Sequence, residues 1–250
     1  MAVRIPSLVA ALALAVAAPA SFAAHPLQTE DTATQGVGRL EIENGLQRTR
    51  FDSIAQTTYQ PQLSLGLAPT LDAIVQPAYV WQHAGQQRES GLGDTNVDAK
   101  WRFWGDDRLS LAVRGGVMLA TNEHGFGLTH GKTSEHALLA LTWDRSPTLV
   151  HVNVGSVIVP RAAASRARRV MTGVSAAVMQ RIDEHLILTA DMRFAQSPNP
   201  HRTGWPGTVL AGAIWTLRPG LDLDLGWQRT IDDTPTARTW LAGLTYRFAL

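Results

Sequence analysis

Apolar and polar residues alternate along most of the chain after residue 36, and this two-residue period is that of β-strands. The pattern is clearest at the C-terminus, where alternate positions are apolar or aromatic: Trp240, Ala242, Leu244, Tyr246, Phe248 and Leu250. Most residues between them are small or polar. A strand with one apolar and one polar face fits the wall of a transmembrane β-barrel, which meets lipid outside and water inside.

Comparable runs recur through the chain, and each is close to the roughly 9 to 11 residues that a tilted membrane-spanning strand needs. They cover residues 37–48, 57–68, 71–82, 95–104, 108–121, 134–144, 148–159, 168–180, 185–196, 207–217, 221–230 and 238–250. The sequence therefore predicts an all-β protein: a transmembrane antiparallel up-and-down β-barrel of about twelve strands over residues 37–250.

The connections between these runs alternate in length. Short turns are predicted at residues 68–70, 105–107, 145–147, 182–184 and 218–220, and longer polar links at 49–56, 83–94, 122–133, 160–167, 197–206 and 231–237. Short periplasmic turns and longer outer loops are expected of this architecture, with both termini in the periplasm. Pro77 falls inside the third run and has no N–H for the ladder, so we expect a bulge or break there.

Residues 1–23 have the composition of a secretory signal peptide. Arg4 is followed by an apolar run over residues 8–18 and by small residues at Ser21 and Ala23, which predicts cleavage after Ala23 and export to the outer membrane of a bacterial cell. Residues 24–36 show no periodicity. We expect them to form an irregular periplasmic segment or a plug that folds into the barrel.

The polar face of the runs predicts which side chains line the lumen. No charge falls on the apolar face, where each would cost roughly 2 to 4 kcal/mol near the membrane midplane. The lumen-facing candidates are Glu41, Glu43, Asp72, Asp98, Lys100, Arg102, Arg114, Asp191, Arg193, Asp222, Asp224 and Arg247. Because both signs occur, we expect a paired network or a weakly selective aqueous path. Closure of the barrel should bring Arg247 near Glu41 or Glu43.

Composition narrows the classes of function. The net charge of +1 gives no electrostatic argument for a nucleic-acid partner. The absence of cysteine excludes thiol nucleophiles, disulfides and lipoprotein anchoring through cysteine. Beyond the N-terminus, no stretch is long and apolar enough to cross a bilayer as a helix.

Two short motifs resemble an outer-membrane family named for the meta-pathway of phenol degradation. One is the opening His25-Pro-Leu with Asp31-Thr-Ala-Thr-Gln-Gly, and the other is Gly91-Leu-Gly-Asp-Thr95 before a strand. The resemblance implies an outer-membrane barrel of transporter type, with hydrophobic or aromatic solutes and no catalytic residues or cofactor. The C-terminus resembles the signature of bacterial outer-membrane proteins, with Phe248 third from the end. This implies recognition by the barrel-assembly machinery.

An enzymatic function has little support in the sequence. The outer-membrane phospholipase family carries a His and a Ser two residues apart on one strand, and no His-x-Ser occurs here. His151 and Ser156 are five apart and would lie on opposite faces of a strand. We therefore assign no catalytic residue.

Two groups of loop residues each have two interpretations, as a ligand site or as ordinary solvated side chains. His124, His130 and His136 are metal-compatible residue types, but their spacing of six matches no known ligand pattern. We predict no metal site. A basic cluster, Arg161, Arg166, Arg168 and Arg169, is compatible with lipopolysaccharide phosphates or with simple solvation.

The sequence therefore predicts passive passage or binding of small solutes, with outer-membrane lipids and lipopolysaccharide as surroundings. A structural or surface-interaction barrel without transport is the alternative, and an outer-membrane enzyme is the third.

Overall fold

The computed structural model describes residues 25–51, 54–122, 132–160, 168–197, 201, 203–231 and 236–250. The predicted signal peptide and its cleavage site lie outside these residues. The described part forms one antiparallel sheet of the strands β1 Arg39–Phe51, β2 Ile54–Ala68, β3 Leu71–Gln76, β4 Tyr79–Ala84, β5 Gln87–Leu92, β6 Thr95–Gly105, β7 Leu109–Leu119, β8 Ser134–Arg145, β9 Thr148–Ile158, β10 Val170–Arg181, β11 Leu186–Ala195, β12 Gly207–Arg218, β13 Leu221–Ile231 and β14 Arg238–Ala249.

The sheet closes on itself because β1 pairs with both β2 and β14. β3 and β4 are successive segments of one crossing, since both pair with β2. β5 and β6 form the next crossing, pairing with β4 and β3 respectively. The 14 strands therefore make twelve crossings, and the predicted barrel of about twelve strands is confirmed.

The predicted break at Pro77 is confirmed, because β3 ends at Gln76 and β4 begins at Tyr79. Two predicted links are wrong. In the region 49–56 the β1–β2 ladder continues to the pair Phe51 and Ile54, and the region 83–94 contains β5. Backbone hydrogen bonds are enough to extend a hairpin beyond the lipid. The strand residues there are mostly polar and lack the apolar alternation from which strands are predicted.

Side chains alternate across the wall as expected for a barrel. On β13 the outward Leu225 is 60% exposed, whereas the adjacent Asp224 is 1% exposed. Trp215 and Trp240 also face outward. The part of the chain that the structure describes contains no helix long and apolar enough to cross a membrane.

The two ends of the barrel differ. At one end, which we call the turn end, lie the short connections β2–β3, β6–β7, β8–β9, β10–β11 and β12–β13. The chain enters and leaves the wall there, since the Leu250 N–H donates to the Gly38 carbonyl at 2.8 Å. Residues 25–36, which precede this point and form no strand, are called the inner segment.

Candidate functional site

The inner segment lies within the barrel. Thr29 and Thr32 are 1% and 2% exposed, and Pro26 is also fully buried. Its hydrogen bonds reach inward side chains on β1, β3, β6, β7, β8, β9, β11 and β13, which together span the circumference. An aperiodic stretch without strand pairing is therefore held by side chains of the surrounding wall.

His25 is bound where β1, β13 and β14 meet. Its Nδ1 lies 2.5 Å from Asp224 Oδ1, and its backbone N–H donates to Glu43 Oε2 at 3.2 Å. The ring fits because the cross-strand partners Gly45 and Gly243 leave space for it on the wall: a Cβ on Gly45 would come within 3.0 Å of it, and one on Gly243 would overlap it. Two small residues of the wall thus form the recess for this imidazole.

The next two residues pack on apolar and glycine surfaces. Pro26 lies against Gly212 and Gly226, where added Cβ atoms would come within 2.9 and 3.0 Å of its ring. Leu27 packs on a cluster of buried side chains from four adjacent strands: Leu149, Met179, Ile187 and Ile214. This cluster gives the inner segment an apolar anchor in an otherwise polar lumen.

Backbone N–H groups of the inner segment are bound by wall carboxylates. Those of Gln28 and Thr29 both donate to Asp191 Oδ2 at 2.8 Å. Farther along, the Gln35 N–H lies 3.1 Å from both Asp72 oxygens, and the Gln35 side chain donates to Glu41 at 2.7 Å. The main chain is therefore satisfied by acceptors that a continuing strand would otherwise supply.

Glu30 forms the centre of the densest ion-pair cluster. Its Oε1 lies 2.8 Å from Lys100 Nζ and its Oε2 lies 2.5 Å from an Arg114 guanidinium nitrogen. Asn153 accepts the Glu30 N–H at 2.7 Å and donates to its carbonyl at 2.8 Å. Burial alone would raise the pKa of Glu30, but the two cations outweigh it and lower that pKa to about 2.

A second layer of charges supports this cluster. Asp31 lies 3.1 Å from Lys100, and Asp98 lies 2.8 Å from the Arg114 Nε. His136 Nε2 is 2.9 Å from the other Asp98 oxygen.

Thr32 joins the inner segment to β7 and β8. Its Oγ1 lies 2.5 Å from Ser110 Oγ, and its N–H donates to Thr142 Oγ1 at 3.1 Å. Between this point and the wall at the turn end is a cavity of about 190 Å³, whose lining includes Arg102 and Arg108.

The structure places nine of the twelve predicted lumen residues in buried positions: Glu41, Glu43, Asp72, Asp98, Lys100, Arg114, Asp191, Asp222 and Asp224. Arg247 is partly buried and pairs with Glu41 and Asp222. Arg102 is partly buried and Arg193 is exposed, and neither forms an ion pair with a described residue. The role of these residues in transport stays a prediction.

Several contacting residues were missed by sequence reasoning. His25 and Glu30 lie in a stretch without periodicity, so no pattern indicates which wall residues they meet. His136 and Thr142 were detectable, because they share the parity opposite to outward Leu139 and Leu141 on β8.

His151, the residue weighed for catalysis, is 2% exposed. Its Nδ1 lies 2.9 Å from Thr142 Oγ1 and its Nε2 lies 3.3 Å from Met179 Sδ. Ser156 contacts Thr172 instead, at 3.1 Å. The imidazole is thus a satisfied interior group, and among the described residues no carboxylate lies within hydrogen-bond distance to orient it as a base.

Two loop features fall largely outside the described residues. His124 and His130 are not described, and His136 is on β8, not in the predicted loop. The described residues contain no group of three or more side chains disposed to hold a metal. Arg161 and Arg166 are also outside, so contact with lipopolysaccharide stays a prediction.

No protein-family model and no curated protein matches the chain. Among solved structures, it resembles an outer membrane channel from Pseudomonas putida F1, with a TM-score of 0.70, 11% identity, and coverage of 89% of this chain and 100% of that one. The fold is that of an outer-membrane barrel. The NanC porin has a TM-score of 0.60 at 10% identity, covering 83% of this chain and 98% of its own. The CymD monoaromatic hydrocarbon channel has 0.52 at 8%, covering 88% and 90%.

Proposed function

We propose that the protein is a passive outer-membrane channel for small solutes and that the inner segment is its plug. The observation that carries the proposal is the position of this segment, which crosses the lumen without pairing as a strand. Its hydrogen bonds to the wall run through wall side chains, except that Thr34 donates to the Pro69 carbonyl and the Gly36 carbonyl accepts from the Arg39 N–H. Every wall strand already has its neighbours, so withdrawal of the segment leaves the backbone pairing of the barrel intact. The similarity of the fold to those of an outer membrane channel and a porin supports the proposal.

The chemistry of the contacts favours a removable plug. Apart from Leu27 and Pro26, the inner segment meets the wall through charged and polar groups. Water can replace such partners when the lumen fills, whereas an apolar interface would resist hydration. The ion pairs of Glu30 make the closed state the resting one.

The class of solute is proposed from the resemblances of the chain and from the side chains that line the lumen. The CymD neighbour carries monoaromatic hydrocarbons by its name, and the sequence resemblance suggests hydrophobic or aromatic cargo. A lumen of carboxylates, guanidinium groups and hydroxyls favours solutes that also bear a polar or charged group.

A permanently closed structural barrel is the second candidate. It is favoured by the number of contacts that hold the inner segment, since breaking a buried ion pair without replacement costs several kcal/mol. An enzyme is not proposed, because the buried His151 faces a hydroxyl and a thioether.

A reversible crosslink distinguishes the two candidates. The chain has no cysteine, and Thr32 Oγ1 lies 2.5 Å from Ser110 Oγ, close to the roughly 2.05 Å of a disulfide bond. In the double variant Thr32→Cys with Ser110→Cys, oxidation should tether the inner segment to β7. We expect no single-channel current in planar bilayers when oxidised, and discrete conductance steps after reduction.

The matched control is Thr49→Cys with Thr239→Cys, whose hydroxyl oxygens are 2.9 Å apart on β1 and β14. This crosslink lies within the wall, so its conductance should be the same oxidised and reduced. Silence of the reduced Thr32→Cys with Ser110→Cys variant would identify a closed structural barrel. Equal currents in both of its states, with the crosslink verified by mass, would exclude the inner segment as the gate.

A further inference from the structure

Glu30 brings a carboxylate to two cations of the wall. Lys100 and Arg114 are cross-strand partners on β6 and β7, and their side chains are 8% and 10% exposed. Each binds a different oxygen of Glu30, at 2.8 and 2.5 Å. A flexible ammonium and a planar guanidinium that share one carboxylate form a strong anion site, because both hydrogen bonds are charge-assisted.

The wall alone supplies one ion-paired carboxylate for the two cations of this site. Of the wall residues described around it, Asp98 is the one carboxylate paired with Arg114, and it is shared with His136. Lys100 has its two ion-pair partners, Glu30 and Asp31, on the inner segment. When that segment leaves, the buried ammonium loses both ion-pair partners and keeps only Asp72, its cross-strand neighbour on β3, which lies beyond ion-pair distance; this loss is costly unless another anion replaces them.

Elsewhere the wall meets the inner segment with the opposite sign. Asp72 and Asp191 accept its backbone N–H groups, and Glu43 accepts that of His25. None of these three carboxylates has a Lys or Arg within ion-pair distance among the described residues. In an emptied lumen an anionic solute can therefore bind two neighbouring cations at once at this pair, and it is repelled at these acids.

We infer that the pair Lys100 and Arg114 is the lumen's binding site for the carboxylate group of a small organic acid, and that Glu30 occupies it as an internal stand-in. This inference rests on the proposed channel function, since it names the class of solute. A carboxylate-bearing solute would compete with Glu30 for the two cations. Binding of the solute carboxylate then displaces the Glu30 carboxylate from the two cations and releases the inner segment in the same step.

The test is a binding measurement that needs no flux. Benzoate is titrated into the refolded full chain in detergent by isothermal calorimetry, with benzamide as its uncharged counterpart. In Glu30→Gln the stand-in carboxylate is gone, so we expect benzoate to bind at least about tenfold tighter than to the wild type. Benzamide should bind at least about tenfold more weakly than benzoate to the same variant.

Second substitutions locate the site. Adding Lys100→Met to Glu30→Gln should abolish the gain, whereas Lys100→Arg should keep most of it. Arg229→Gln removes an exposed cation that shares the outward parity of Leu225 and Trp227 on β13, and it should leave benzoate affinity within about twofold. The folding of each variant is checked by heat-modifiable migration. The substitution Glu30→Gln itself leaves both cations, Lys100 and Arg114, in place.

Benzoate affinity unchanged by Glu30→Gln would overturn the inference, as would equal binding of benzamide. Neither result bears on the crosslinking experiment, which tests the channel itself. Silence of the reduced Thr32→Cys with Ser110→Cys variant, together with retained benzoate binding, would overturn the channel and leave a carboxylate-binding barrel.

Discussion

Arg247 on the last strand ties the barrel closed from within. It lies opposite Glu41 on β1, with its Nε 2.5 Å from Glu41 Oε2, and a second guanidinium nitrogen lies 2.7 Å from Asp222 on β13. One side chain thus joins three strands at the closure seam. The sequence-based expectation that Arg247 meets Glu41 or Glu43 is confirmed, because parity and closure together fix which residues share the lumen face.

Replacing Arg247 with Met should destabilise the barrel by about 3 kcal/mol, because two buried carboxylates lose their shared counter-ion. The free energy of unfolding is measured by urea titration in lipid vesicles with tryptophan fluorescence. Arg193→Met, which removes an exposed cation, should change it by less than about 0.5 kcal/mol. Similar losses in both variants would argue against a specific role of the seam cluster.

The barrel wall was predictable because lipid imposes a simple rule on every crossing. The alternation of apolar and polar residues predicted the strands, their number and their inward faces. Pro77 predicted the break between β3 and β4, because proline has no N–H to donate to a neighbouring strand. The rule ends where the strand leaves the lipid, so β5 and the outer ends of β1 and β2 were mistaken for loops.

The contacts of the inner segment were beyond sequence reasoning for a different reason. Glu30 meets Lys100 and Arg114 across 70 and 84 residues of chain, and no local period links an aperiodic stretch to particular strands. Gly243 carried no signal either, since a small residue on the lumen face fits any barrel. Its importance depends on the imidazole beside it.

The lipid face should tolerate charge according to depth. Leu225 is 60% exposed near the middle of β13, and Leu217 is 51% exposed near the end of β12. Leu225→Arg should lower the free energy of unfolding by about 2 to 4 kcal/mol, and Leu217→Arg by about 1 kcal/mol or less. Both values come from urea titrations in vesicles. Equal costs at the two positions would contradict the placement of β13 across the membrane.

The ion pairs of Glu30 with Lys100 and Arg114 should persist in mild acid. Its pKa is lowered from 4.5 to about 2, so its stabilising contribution is complete above pH 4.5 and is lost only as the pH falls through about 2. With Thr32→Cys as a reporter, Glu30→Gln should speed thiol labelling at least about tenfold. We expect this ratio to be the same at pH 7 and pH 5, after each rate is normalised to an exposed Gly204→Cys. A ratio that falls to one at pH 5 would show that Glu30 is already protonated there.

Gly243→Val should release the start of the inner segment without opening the wall. The new side chain would overlap His25 and Asp224, whereas valine itself suits a strand position on β14. In the Thr32→Cys background we expect faster labelling of the introduced thiol and more frequent conductance steps, while the heat-modifiable migration of the folded barrel is retained. Gly204→Ala is the control, because a Cβ there meets nothing within 4 Å, and it should alter neither quantity. Unchanged labelling in Gly243→Val would mean that the recess between β1 and β14 does not hold the inner segment in place.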